Sequence, residues 1–167
     1  MIRINRRQWT KTAAGISVGV WTGVRPSSVL ARSANEALNL AFIGVGGRGK
    51  ANLNGLKKQN VVALCDVDGE RAKKAFEEFP SVPKFKDFRK MLDDLENQID
   101  GVVISTPDHA HFHPARLALQ MGKHVYLEKP MAHNVWETRA LTDLAREKAV
   151  ATQLGVQRHT LYNSIQV

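Results

Sequence analysis

The sequence has a single cysteine, and this excludes an internal disulfide from the fold. That residue, Cys65, lies in an apolar run, residues 60–67, that is typical of a buried strand. An unpaired cysteine in such a run usually behaves as a small core hydrophobe. We therefore expect Cys65 to have a packing role, and the 167 residues to be enough for one domain with its own core but not for a second full domain.

Long hydrophobic runs are also missing, which argues against stable membrane insertion. The apolar stretch at residues 13–24 has 12 residues, whereas a membrane-spanning helix needs about 20. It follows Arg6-Arg7 and precedes small residues, the order found in export signals. Residues 1–33 resemble a twin-arginine (Tat) signal peptide, cleaved after Ala31 or after Ser33. The prediction is export to the periplasm by the Tat machinery. An amphipathic leader or a misassigned start codon is the alternative.

Acidic residues are absent from residues 1–33, which carry six basic residues. The rest of the chain has 18 basic and 16 acidic residues, so the formal charge of +8 is concentrated in the predicted signal. A nearly neutral body lacks the basic surface that binds nucleic acid. We therefore expect no nucleic-acid partner.

From residue 37 onward, short apolar runs alternate with longer segments of helical period. The apolar runs are continuous, which indicates strands buried on both faces of a parallel sheet. Strands that alternate with helices form βαβ units, so the sequence predicts an α/β fold with a doubly wound parallel sheet over residues 36–157. The predicted strands are 38–45, 60–67, 101–105, 123–127 and 150–155, and the predicted helices are 47–58, 68–79, 87–96, 109–121 and 134–149.

A glycine-rich turn, Gly44-Val45-Gly46-Gly47-Arg48-Gly49, joins the first predicted strand to the first predicted helix. It fits the G-x-G-x-x-G pattern, and Asp66 ends the next strand 20 residues after Gly46. This context is typical of a Rossmann dinucleotide site. Gly44 would permit the tight turn, Gly46 would let the backbone approach the diphosphate, and Gly49 would let helix and strand pack closely. Gly47 and Arg48 complete the turn, and Arg48 either neutralises the diphosphate or faces solvent.

Asp66 indicates which nicotinamide nucleotide is bound. A carboxylate at this point accepts hydrogen bonds from the adenosine ribose and repels a 2′-phosphate, so NAD is favoured over NADP. Arg71 is the opposing feature, because a nearby arginine can accommodate that phosphate. The alternative for Arg71 is a solvated position on its helix. We predict NAD as the cofactor.

Two further motifs follow in register with this site: residues 105–111, Ser-Thr-Pro-Asp-His-Ala-His, and residues 122–130, Gly-Lys-His-Val-Tyr-Leu-Glu-Lys-Pro. With the glycine turn, they resemble the glucose-fructose oxidoreductase / inositol dehydrogenase (Gfo/Idh/MocA) family. The resemblance implies an NAD-dependent oxidoreductase that acts on a sugar, polyol or sugar derivative by hydride transfer. It places four residues against the nicotinamide ribose and ring: Thr106, Pro107, Asp108 and His111.

Glu128 and Lys129 close the strand that ends in the second motif. Beside a positively charged nicotinamide and out of bulk water, both desolvation and like charge would disfavour the ammonium form of Lys129. Lys129 is therefore predicted to accept the hydroxyl proton as hydride leaves the neighbouring carbon; a solvated surface lysine is the alternative. The resemblance also implies a cis bond before Pro130, and places Glu128 and Gln157 at the cofactor or active site.

Three histidines at alternating positions, His109, His111 and His113, raise the possibility of a metal site. Their spacing includes no cysteine or carboxylate in ligand register. We therefore predict no metal, and an ordinary helical position for His113.

The resemblance implies a second α/β domain, with an open-faced antiparallel sheet that holds substrate and supplies an aspartate or histidine to act with the lysine. Residues 158–167 only begin that domain, so we expect a truncated chain that is inactive alone. The full-length form is expected to be a homo-oligomer. One alternative is an NAD-dependent glycosidase, because the chain also resembles exported relatives that use NAD during glycoside cleavage. The other is an inactive nucleotide-binding remnant.

Overall fold

The structure, a computed structural model, describes residues 37–156. The predicted signal, Gln157 and residues 158–167 lie outside the described residues. The strands are β1 (Asn39–Ile43), β2 (Asn60–Cys65), β3 (Lys84–Phe85), β4 (Gly101–Ile104), β5 (His124–Glu128) and β6 (Thr152–Gly155), and the helices are α1 (Arg48–Gly55), α2 (Gly69–Glu78), α3 (Phe88–Asp94), α4 (Phe112–Gln120) and α5 (Val135–Lys148).

The strands form one six-stranded sheet in the order β3-β2-β1-β4-β5-β6. Every neighbouring pair is parallel, so the predicted doubly wound parallel α/β sheet is confirmed. The chain moves outward from β1 to β3 and then returns to place β4 on the other side of β1. Such a reversal opens a crevice at the carboxyl ends of β1 and β4, where open α/β sheets bind ligands.

The central strands β1 and β4 are buried on both faces, as the continuous apolar runs predict, whereas Thr152 and Gln153 on the edge strand β6 are exposed. On β1, Leu40 and Phe42 pack into a core with α1 and α2, while Ala41 and Ile43 pack into a core with α3, α4 and α5. Successive side chains of a strand point to opposite faces, so one strand supplies both cores. Among the described residues, no helix combines the length and hydropathy of a membrane-spanning segment.

Side-chain caps set the starts of several helices. Asp87 accepts a hydrogen bond from the Arg89 amide at 2.9 Å, and Asn134 accepts one from the Glu137 amide at 2.9 Å. Both residues are therefore N-caps, at the positions where the sequence predicts these two helices to begin. Asp68 caps α2 in the same way, so that helix begins one residue later than predicted.

Two local features differ from the prediction. The sequence does not predict β3, which has two residues and exists because it pairs with β2. The predicted helix at 109–121 is divided into a 3₁₀ turn at Asp108–Ala110 and α4. Pro114 lies in the first turn of α4, where its missing N–H removes no helical hydrogen bond.

Candidate cofactor and active site

The turn after β1 requires glycine at its first position. Gly44 has a φ of 79°, and its amide donates to the carbonyl oxygen of Cys65 at 2.8 Å. A Cβ atom on Gly44 would lie 2.7 Å from the carbonyl oxygen of Ser105. Both the backbone conformation and the adjacent β4 loop therefore exclude a side chain here.

Gly49 lies in the first turn of α1 and packs directly on this turn. A Cβ atom on Gly49 would collide with the carbonyl oxygen of Gly44 and lie 3.2 Å from Cβ of Ser105. The close packing of helix on strand that the motif predicts for Gly49 is confirmed. It brings the start of α1 against the carboxyl ends of β1 and β4.

The N-terminus of α1 is suited to an anion. The helix begins at Arg48 after Gly47, which provides no side-chain cap, and its first turn contains no acidic residue. The first N–H groups of a helix lack partners within the helix, and with the helix dipole they attract negative charge. A diphosphate is the ligand that this arrangement favours.

Asp66 has a role in the turn that the sequence analysis missed. Its Oδ2 accepts from the amides of Val45 at 2.9 Å and Gly46 at 3.2 Å, and its Oδ1 accepts from the amide of Asp68 at 3.0 Å. A carboxylate has about four acceptor positions, so limited capacity is left for a ribose hydroxyl. Asp66 therefore shapes the glycine turn as well as standing where the ribose contact is predicted.

The crevice itself is a cavity of about 540 Å³, which is within the usual range for ligand pockets. It runs between the carboxyl ends of β1, β2 and β4. Its charged lining residues are Arg48, Asp66, Asp68, Arg71 and Lys86. Arg71 thus lies along the crevice as well as on the helix surface. A separate apolar cavity of about 470 Å³, between α4, α5 and strands β5 and β6, contacts none of the predicted site residues.

Thr106 places an unsatisfied hydroxyl beside this crevice. Its Oγ1 is buried and has no hydrogen-bond partner among the described residues, and the residue lines the cavity together with Pro107. A buried hydroxyl without a partner is unfavourable by roughly 1–3 kcal/mol. Such an atom at the mouth of a ligand crevice indicates a polar ligand group, so Thr106 fits its predicted position beside the cofactor.

His111 lies beneath the two motif loops instead of lining the crevice. The side chain is fully buried, with Nδ1 2.6 Å from the carbonyl oxygen of Pro130 and Nε2 2.9 Å from that of Thr106. Carbonyl oxygens only accept, so a neutral imidazole donates to one of them and an imidazolium donates to both. In either form, His111 holds together the loops that carry Thr106 and Lys129. The cis bond predicted between Lys129 and Pro130 is present.

Glu128 is a buried carboxylate, 5% exposed, at the end of β5. Its Oε1 accepts from Nε of Arg48 at 3.1 Å and from Nδ2 of Asn52 at 2.9 Å. Arg48 is therefore paired with Glu128, a third possibility beyond the diphosphate and solvent positions considered from the sequence. Asn52 belongs to no sequence motif, but its spacing of four from Arg48 places both residues on one helix face.

Lys129 is exposed and immediately follows β5. Ile104 at the end of β4 pairs with Leu127, so the loops that begin with Ser105 and Lys129 leave the same edge of the sheet. Lys129 and Thr106 consequently share that edge. The interpretation of Lys129 as a desolvated base requires something to cover it, because this chain leaves it in contact with water.

Cys65 also lines the crevice, in surroundings that disfavour its nucleophilic thiolate form. Burial, with smaller contributions from Asp66 and Asp87, raises the pKa of the Cys65 thiol from 9.0 to about 12. The thiolate is the reactive form of cysteine, and it is scarce near neutral pH at such a pKa. The predicted packing role is consistent with this environment and with the 2% exposure of the side chain.

The three histidines of the first motif have separate environments. His109 lines the crevice, His111 is buried between the loops, and His113 makes an edge-to-face contact with Phe112. Within residues 37–156, no three His, Cys, Asp or Glu side chains come together as metal ligands.

Comparison with known proteins identifies the family. Residues 38–156 match the model of the Gfo/Idh/MocA oxidoreductase family, described as an NAD-binding Rossmann fold. The chain is 27% identical to a glycosyl hydrolase family 109 protein of Shewanella pealeana, over 86% of this chain and 37% of that protein. It is 29% identical to glucose-6-phosphate 3-dehydrogenase of Bacillus subtilis, over 70% of this chain and 33% of that protein.

A solved structure, a dehydrogenase from Chromobacterium violaceum, superposes with a TM-score of 0.69 at 26% identity, over 77% of this chain and 38% of the other. The chain therefore spans about a third of the length of the proteins it resembles, between 33% and 38%. The match covers the described sheet and its crevice. The chain belongs to the Gfo/Idh/MocA oxidoreductase family, and residues 38–156 are its NAD-binding Rossmann domain.

Proposed function

We propose that this chain is the cofactor-binding part of an NAD-dependent oxidoreductase that acts on a sugar, polyol or sugar derivative, with Lys129 as the proton acceptor. One observation carries the proposal. The unsatisfied Thr106 hydroxyl and the Lys129 ammonium group follow neighbouring strands at the edge where the dinucleotide crevice opens. A cofactor and a proton acceptor would thus meet at one place.

The residues of the crevice have distinct parts in this proposal. The turn at Gly44–Gly49 and the start of α1 would hold the diphosphate, and Asp66 would accept from the adenosine ribose. Thr106 would hydrogen bond to the nicotinamide half. Bound NAD⁺ supplies a hydride acceptor. Lys129, in its amine form, would take the proton from the substrate hydroxyl.

The substrate class is supported by the relatives and by the chemistry of the site. A lysine beside a hydride acceptor suits the oxidation of a secondary alcohol, and glucose-6-phosphate 3-dehydrogenase is named for such a reaction on a sugar. A second candidate, an NAD-dependent glycosidase, is favoured by the similarity to the glycosyl hydrolase family 109 protein.

Calorimetric titration of the full chain with NAD⁺ tests the cofactor assignment. We expect saturable binding, and a folded chain that takes up no nicotinamide nucleotide would overturn the proposal. Activity is tested on the complete gene product with a panel of sugars and polyols. NADH should accumulate for the unsubstituted protein, and Lys129→Met should retain NAD⁺ binding while losing turnover.

The same panel separates the candidate functions. Release of sugar from a chromogenic glycoside without accumulation of NADH would favour the glycosidase. Binding of NAD⁺ with neither activity, for the protein that retains Lys129, would leave the chain a nucleotide-binding remnant.

We also propose that residues 1–33 direct Tat-dependent export to the periplasm and that the full-length form is a homo-oligomer. The Arg6-Arg7 pair followed by a short apolar stretch supports export. A reporter fused to these residues should reach the periplasm, and replacing both arginines with lysine should retain it in the cytoplasm. Light scattering of the complete gene product tests the assembly, and a monomeric mass would contradict it.

A further inference from the structure

We propose that Asn52 is a positioning residue that ties the nicotinamide half of the crevice to the helix that receives the diphosphate. The inference rests on the proposed NAD site and goes beyond it by assigning a role to a side chain outside the sequence motifs. Through Ser105 and Glu128, Asn52 would set where the Thr106 hydroxyl and Lys129 lie relative to the bound nucleotide.

The Asn52 amide uses both of its hydrogens in this arrangement. The residue is 9% exposed, and its Nδ2 lies 2.9 Å from Oγ of Ser105 and 2.9 Å from Oε1 of Glu128. An amide nitrogen carries two hydrogens, so one is available for each acceptor. Asn52 therefore bridges the ends of β4 and β5 from a single atom.

A second side chain of α1 converges on the same carboxylate oxygen. Arg48 lies four residues before Asn52, and its Nε donates to Oε1 of Glu128 at 3.1 Å. Residues at this spacing lie on one face of a helix. The first two turns of α1 are thus fastened to the end of β5 at one buried acceptor.

Each hydrogen bond of Asn52 ends one residue before a group with a proposed function. Ser105 precedes Thr106, and Glu128 precedes Lys129. Arg48 alone is a weaker anchor for the carboxylate, because its side chain is 52% exposed, whereas Asn52 is buried. Buried, satisfied polar networks are rigid, and losing one member removes a hydrogen bond from each of its partners. Removing Asn52 should therefore loosen the two loops while the glycine turn stays intact.

This arrangement predicts unequal effects on two probes. ADP can occupy the glycine turn and the half of the crevice at β1–β3, whereas NAD⁺ also extends to the loops after β4 and β5. In the full chain, Asn52→Leu should weaken NAD⁺ binding about tenfold, since Ser105 and Glu128 each lose a hydrogen-bond donor, and ADP binding by less than about twofold. Asn54→Leu is the matched control, because Asn54 is an exposed asparagine on the same helix; it should change neither affinity.

A donor–acceptor exchange keeps the test independent of the leucine variant. Asn52→Asp alone places a second carboxylate against Glu128, so NAD⁺ binding should fall by more than tenfold at pH 8 and partly recover towards pH 5, where one proton can be shared. Adding Glu128→Gln restores one donor and one acceptor in reversed order. The double variant should bind NAD⁺ more tightly than Asn52→Asp alone, but less tightly than the original chain, because Oε1 of Glu128 also accepts from Arg48 and the exchange removes that acceptor.

The outcomes separate the inference from the proposed function. Equal losses for NAD⁺ and ADP, or losses matched by Asn54→Leu, would overturn the positioning role. Failure of the double variant to recover, while it melts like the original chain, would also overturn it. An unsubstituted chain that binds neither nucleotide would instead remove the proposed function on which the inference rests.

Discussion

The two halves of the sheet build their parts of the crevice from different atoms. In the first half, β1–β3, the proposed diphosphate site is formed by the main chain of the turn at Gly44–Gly49, which Asp66 holds through the Val45 and Gly46 amides. In the second half, β4–β6, the proposed contacts belong to side chains such as Thr106 and Lys129. A main-chain site has no room for added atoms, whereas a side-chain site loses one hydrogen bond at a time. We therefore expect substitutions in the first half to abolish NAD⁺ binding, and substitutions in the second half to weaken it step by step.

The largest effect is expected for Gly49→Ala, which tests the loss of binding expected in the first half. The added Cβ collides with the Gly44 carbonyl, and overpacking of this kind destabilises a fold by roughly 1–3 kcal/mol. Calorimetry should show no NAD⁺ binding, and the melting temperature should fall. Gly55→Ala, in open space on the same helix, should bind NAD⁺ normally. Normal binding by Gly49→Ala would mean that the first half tolerates added atoms after all.

A smaller effect is expected for Asp66→Ala, which removes a side chain that acts on the main chain. The variant loses the acceptor for the Val45 and Gly46 amides and the predicted ribose contact, so NAD⁺ affinity should fall about tenfold or more. NADP⁺ affinity should fall less, because the carboxylate repels the 2′-phosphate. Parallel titrations with both nucleotides measure the difference. Equal losses would remove the basis for the NAD preference.

Thr106→Val tests the stepwise weakening expected in the second half. Removing the unsatisfied hydroxyl should weaken NAD⁺ binding by about threefold to tenfold, the range for one lost hydrogen bond. The free energy of unfolding without ligand should stay the same or rise, because a buried hydroxyl without a partner is removed. Thr152→Val, at an exposed position of β6, is the control. Lower stability with unchanged affinity would show that Thr106 serves the fold and not the ligand.

The smallest effect on NAD⁺ binding is expected at Cys65, which lines the crevice but has no role in the proposed binding or reaction. Because burial raises the thiol pKa to about 12, the folded chain should react slowly with a thiol reagent at pH 8 and rapidly after denaturation. The part of the free energy of unfolding that depends on a neutral Cys65 thiol is fully present below pH 9 and is lost as the pH rises towards 12. Cys65→Ala should retain NAD⁺ affinity. Rapid modification of the folded chain would contradict this assignment.

The sequence was most informative where structure depends on local chemistry. Apolar runs predict β1, β2, β4, β5 and β6 to within about three residues, and the caps Asp87 and Asn134 mark two helix starts. Glycine geometry allows the roles of Gly44 and Gly49 to be predicted. β3 escapes prediction because two residues carry no periodicity, and only their pairing with Leu64 and Cys65 of β2 makes them a strand.

The sequence was least informative where a side chain acts on a distant segment. His111 joins two loops, from a position 19 residues before Pro130. Asn52 reaches Glu128 across 76 residues. Neither contact follows from a motif, since each depends on how α1, β4 and β5 pack. The predictions for Lys129 and Thr106 rested on resemblance, and their common position at one edge becomes visible only through the register of β4 with β5.

The unpartnered hydroxyl of Thr106 also bears on how long the protein survives. A ligand that satisfies it binds the native chain and not the unfolded one, so mass action protects the fold. At a free concentration one hundred times its Kd, such a ligand adds about 2.7 kcal/mol to the free energy of unfolding. Resistance to proteolysis should then follow the supply of nucleotide, and chains that have lost their ligand would be degraded first.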